Sequence, residues 1–157
     1  MKRNRMVYIC CLLLSLFLIS CGQGGVKEED ASLFRTSNFS AVSTGKNRAD
    51  EDKANQIQDF VLSDGKIYDC IVIKGEKEVL VAYKVRHLHR FRLKQIEGTL
   101  KKNLEERYRD EIFIVSSDYK IFLEASRLKN RFERGELTSK EAEKRLQEII
   151  KLSKEMT

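Results

Sequence analysis

His87 and His89 stand two residues apart and are the first place in this sequence where side chains could combine to do chemistry. On a continuing β-strand, residues i and i+2 face the same way, so His87-Leu88-His89 would present two imidazoles on one side, a spacing that can hold a metal ion. Third and fourth ligands are missing nearby, and a surface pair at a strand end is the plainer reading. Cys70 lies in an apolar run, where a thiol behaves as a small hydrophobe; an intermolecular disulfide is the alternative. Glu105-Glu106 and Asp110-Glu111 do not read as acid–base pairs, because adjacent residues on a helix do not converge on one point. HExxH, GxSxG and P-loop strings are absent. The residues predict no catalytic site, no metal site and no small-molecule substrate.

A different chemistry is written near the start of the chain. Met1-Lys2-Arg3-Asn4-Arg5 is followed by an apolar run from about Met6 to Ile19, and Leu18-Ile19-Ser20-Cys21-Gly22 closes it. A basic start, an apolar stretch and a small residue before the cut are the layout of a secretory signal. The run falls short of the roughly 20 apolar residues that a membrane span needs. Leu18, Ile19, Ser20 and Cys21 resemble the lipobox of a bacterial lipoprotein; an uncleaved anchor with Cys21 incidental is the alternative. The resemblance implies a signal peptide over residues 1–20, cleavage before Cys21, and a diacylglycerol on that thiol as the single covalent addition and no other cofactor. The chain would then sit on the extracytoplasmic face of the cell membrane, held by lipid, since two or more acyl chains anchor stably where one is marginal. Cys10 and Cys11 would leave with the signal and Cys21 would be consumed, so Cys70 remains alone, with no intramolecular disulfide and no CxxC pair.

Losing Lys2, Arg3 and Arg5 lowers the formal net charge from +6 to +3. The densest basic region of what remains is Lys84, Arg86, Arg90, Arg92, Lys94, Lys101 and Lys102. A tethered domain could lay these on anionic lipid at about 1 kcal/mol per residue. A solvated helix face is the blander reading, because Glu97, Glu105 and Glu106 dilute the patch. Nucleic acid is not an expected partner: export removes the ligand, and the basic residues are not interleaved with an aromatic platform.

The elements that would position these residues are legible from periodicity. Residues 21–46 hold the lipid-bearing cysteine and a polar stretch rich in Gly, Ser, Thr and charge that reads as a flexible tether. The folded domain is expected over 47–157. Asn47 followed by Asp50, Glu51 and Asp52 opens a helix whose Ala54, Ile57, Phe60 and Val61 recur at helical spacing, with Ser63-Asp64-Gly65 as its stop. Ile67 to Ile73 and Val79 to Val85 form a hairpin pattern around Lys74 to Glu78, with Val79, Val81, Tyr83 and Val85 on one face and Leu80, Ala82 and Lys84 on the other. One side is expected to pack against helices. Leu93, Ile96, Leu100, Leu104 and Tyr108 mark an amphipathic helix between Phe91 and Arg109, and Glu111 to Val115 a short strand. Ser116-Ser117-Asp118 caps a helix striped by Ile121, Phe122, Ala125, Leu128 and Phe132, which Gly135 stops. Thr138 to Glu141 is a capping box opening a last helix with Ala142, Leu146, Ile149 and Ile150 on one side. The order α-β-β-α-β-α-α predicts an α+β fold, a small three-stranded sheet made of a hairpin plus one strand and packed with helices.

Several strings in this order resemble the YhcN/YlaJ family of sporulation lipoproteins. They are the lipobox, the polar spacer, the helix ending in the Asp64-Gly65 turn, Asp69-Cys70-Ile71-Val72-Ile73 followed by Val79-Leu80-Val81-Ala82-Tyr83-Lys84, the helix Leu93 to Glu106, and Ile112-Phe113-Ile114-Val115-Ser116-Ser117-Asp118. The last string is similar to the family's "vyVSxD" strand-to-helix junction. The resemblance runs from the lipobox to about Gly135; the basic string His87 to Arg92 and the helix within 137–157 depart from the family's pattern. It implies a membrane lipoprotein of endospore-forming bacteria, located at the forespore or spore membrane. Its role would be non-enzymatic, in sporulation, spore maturation or germination, with spore envelope or membrane proteins as partners.

Overall fold

The computed structural model describes residues 41–45 and 47–156. The signal peptide, Leu18 to Cys21 and most of the expected tether lie outside the described residues. The described part is an α+β fold with four helices around a four-stranded mixed sheet. Its strands are β1 (Val42–Ser43), β2 (Ile67–Lys74), β3 (Glu78–Val85) and β4 (Ile112–Ser116), in that spatial order. β1 runs parallel to β2, β2 antiparallel to β3, and β3 parallel to β4. The helices are α1 (Arg48–Leu62), α2 (Leu93–Arg107), α3 (Tyr119–Glu133) and α4 (Ser139–Glu155), with a 3-10 turn over His87–Arg92. None of these helices is long and apolar enough to cross a membrane.

The sheet therefore has one strand more than the three expected. β1 pairs Val42 with Ile73 and Ser43 with Lys74, so the last residues assigned to the tether belong to the sheet. Thr44 adds backbone and hydroxyl hydrogen bonds to the Lys74 carbonyl, at 2.9 and 3.3 Å. A strand of two residues carries no alternation of its own, and its register comes entirely from β2.

Helices cover both faces of the sheet. Cys70, Val72, Val79, Val81, Tyr83, Val85, Phe113 and Val115 pack with Ala54, Ile57 and Val61 of α1 and Ile96, Leu100 and Leu104 of α2. On the other face Ile71, Ile73, Leu80 and Ala82 meet Ile121, Phe122, Ala125 and Leu128 of α3 and Ala142, Leu146, Ile149 and Ile150 of α4. Burial on both sides explains why β2 and β3 read as nearly continuous apolar runs. An irregularity between Ile67 and Asp69 shifts the register, which lets Ile67 and Cys70 share a face although three positions apart.

The caps match the residue types. The Asn47 side chain accepts from the Ala49 N–H, and Asp118 accepts from Lys120 and Ile121. Thr138 and Glu141 complete a reciprocal capping box. α3 ends in a Schellman motif: Gly135 at φ 72° lets its own N–H reach the Phe132 carbonyl at 2.9 Å and the Glu136 N–H the Arg131 carbonyl at 3.0 Å.

Candidate membrane-facing surface

The antiparallel register sets Lys74 opposite Val79 and Ile67 opposite Val85, while β4 begins beside Glu78. Lys74 and Glu111 thus share one end of the sheet, and the segment after Val85 lies at the other. Each end gathers charge, in different ways.

At the first end Lys74 Nζ lies 3.2 Å from Glu111 and 3.5 Å from Asp50, and Lys53 Nζ lies 2.7 Å from the other Glu111 oxygen. The Lys74 and Glu111 side chains are only 10% and 8% exposed. Burial would push the Glu111 carboxyl up, but hydrogen bonds and charge from Lys53 and Lys74 outweigh it and hold the group below its usual 4.5. The hydrogen bond to Glu111 likewise raises the Lys53 ammonium, against desolvation. An open recess of about 370 Å³ beside the cluster is lined by Lys53, Arg107, Tyr108, Arg109, Asp110 and Glu111. Its acid is engaged by two lysines, so this end reads as a structural ion cluster.

At the second end the seven basic residues expected to form one patch divide. Lys84 turns onto the α3 side of the sheet, 3.3 Å from its cross-strand neighbour Asp69 and 3.7 Å above the centre of the Phe122 ring. Lys101 and Lys102 pair along α2 with Glu105 and Glu106, each at 3.8 Å. These three are withdrawn from the patch by local partners. Arg86, Arg90, Arg92 and Lys94 are exposed, and none makes an ion pair among the described residues. Arg86 is steadied by donating its Nε–H to the Gly65 carbonyl at 3.0 Å. No acidic residue occurs between Glu78 and Glu97.

The strand does not continue through the histidines. β3 stops at Val85, and His87 and His89 fall in the 3-10 turn, where three residues complete a revolution and positions two apart no longer align. Among the described residues no group of three His, Cys, Asp or Glu side chains is placed to hold a metal. Cys70 is buried in the α1 and α2 core, and burial, with the Asp69 charge beside it, pushes its thiol up, which suits a packing role. The Tyr83 hydroxyl is also buried. Burial and the Glu97 carboxylate raise its phenol while Ser117 opposes them, so it keeps its proton.

Sequence reading missed Leu88 and Phe91, which are 86% and 97% exposed. The signal was present: both lie off the α2 stripe that begins at Leu93, they are three residues apart, and cations stand between and around them. The same end also exposes Tyr68 at the start of β2 and Tyr119 after β4. A comparison with protein families, with curated proteins and with solved structures finds no match to this chain.

Proposed function

We propose that the chain is a lipid-anchored, non-enzymatic protein of the cell envelope, exported and held by Cys21 on the extracytoplasmic face of the membrane. The observation that carries this reading is the string Leu18-Ile19-Ser20-Cys21 at the end of a short apolar run with a basic start. The resemblance to the YhcN/YlaJ family supports a role in endospore formers, at the forespore or spore membrane, with a part in sporulation, spore maturation or germination. A second reading, a constitutive envelope lipoprotein that rests on anionic lipid or cell wall, is favoured by the acid-free segment Arg86 to Lys94. Its cations would each add about 1 kcal/mol near an anionic surface.

Labelling with palmitate tests the anchor: wild type should incorporate label and fractionate with membranes, and Cys21→Ala should do neither. A C-terminal fluorescent fusion followed through a sporulating culture separates the two readings. Signal that arises only during sporulation and rings the forespore supports the first; uniform labelling of growing cells rejects it in favour of the second.

A further inference from the structure

We infer that the 3-10 turn His87–Arg92 is a membrane-inserting wedge, with Leu88 and Phe91 entering the acyl boundary of an anionic bilayer and the surrounding arginines resting on its phosphates. The inference rests on the membrane-anchored reading above and assigns it a contact residue by residue.

A 3-10 helix eclipses side chains three apart. Leu88 and Phe91 therefore form one ridge, with His87 and Arg90 along one flank and His89 and Arg92 along the other. No residue of the turn is buried, so the ridge packs on nothing within the described domain. An apolar ridge between cations is the arrangement that places side chains about 5–10 Å into the interface while charge stays at the headgroups. Tyr68 and Tyr119, exposed at the same end of the sheet, are residues suited to the headgroup level.

Two observations choose lipid over a protein groove as the occupant. The first is charge complementarity: four exposed cations, Arg86, Arg90, Arg92 and Lys94, make no ion pair among the described residues, although Asp64 and Asp118 lie at the same end of the sheet, and no acid interrupts the segment between Glu78 and Glu97. The second is the length of chain before the described domain. Nineteen residues lie between Cys21 and Ala41, enough to reach about 70 Å when extended. A domain of this size has a radius of gyration of about 14 Å, so a lipid on Cys21 allows this end to meet the same bilayer. Tethering makes that contact intramolecular, so a weak intrinsic affinity suffices.

The chain contains no tryptophan, which makes Phe91→Trp a sole indole reporter at a position too exposed to disturb folding. The full-length protein, purified from membranes, is reconstituted in phosphatidylcholine vesicles with or without phosphatidylglycerol, each doped with brominated lipid. Ile112→Trp, 59% exposed at the opposite end of the sheet, is the companion. The expected result is a blue shift and bromolipid quenching at position 91 only, in anionic vesicles only, lost at 1 M salt, where screening reaches about 3 Å, and lost in Arg90→Glu/Arg92→Glu. Equal emission at positions 91 and 112, or equal burial in neutral vesicles, would overturn the inference. So would a shift at position 91 that requires solubilised envelope proteins instead of lipid, which would make the ridge a protein contact. The intact mass of the same preparation reports acylation of Cys21 separately. A chain without lipid sinks the anchor reading, and burial of the Phe91→Trp indole on direct addition to anionic vesicles still decides the wedge.

Discussion

The two ends of the sheet handle charge in opposite ways. At the Lys74 end, two charges withdrawn from water, Lys74 and Glu111, hold each other, with the more exposed Lys53 and Asp50 closing the set. At the Val85 end, Arg86, Arg90, Arg92 and Lys94 stand in solvent without an ion pair among the described residues, beside Leu88 and Phe91, which are left exposed. Buried charge without a partner is costly, whereas exposed charge without one costs little and stays available to a ligand. Basic residues thus carry different meanings in one small domain, and the partner decides which.

The contrast is broken most severely by Glu111→Ala. It leaves Lys74 enclosed without its main carboxylate and is expected to cost about 3 kcal/mol, read by chemical denaturation. Acid provides a milder version of the same loss. Because the folded-state carboxyl of Glu111 is depressed below 4.5, its stabilisation is present above that pH and disappears as pH falls through the lower native value. Glu111→Gln should flatten that part of the acid profile; an unchanged profile would mean the cluster contributes nothing through this group. Next is Thr44→Val, which removes the hydroxyl bonds to the Lys74 carbonyl and to Glu143 at 2.8 Å and should cost about 1 kcal/mol. At the open end Arg90→Glu/Arg92→Glu is expected to shift stability by less than about 0.5 kcal/mol while altering vesicle association. A large destabilisation there would show that these arginines support the fold and would collapse the contrast.

Local chemistry was the readable part of this chain. Asn47, Asp118, the Thr138–Glu141 box and Gly135 act within a few residues of themselves, and the observed caps are the expected ones. The face shared by Val79, Val81, Tyr83 and Val85 follows from strand alternation alone. What was not readable depends on distant partners. β1 is a strand only because β2 offers it an edge, and its residues, followed by Thr44 and Gly45, carry the composition of a spacer. Lys84 left the basic patch because Asp69 lies across the hairpin and Phe122 arrives from α3. Leu88 and Phe91 stand three apart in the sequence, and only the 3-10 turn makes that spacing a ridge.

The pairing of β1 also has a mechanical side. Any pull that reaches the domain from its N-terminal direction meets the Ala41 N–H bond to Asn55 and the two-residue ladder to Ile73 and Lys74 before it meets the central hairpin. That short edge strand is expected to detach first under load, baring the rim of β2 to another strand, while the central hairpin stays shut. Single-molecule stretching from Cys21 should therefore record an early, small extension ahead of global rupture; a single rupture event would show that β1 and the core yield together.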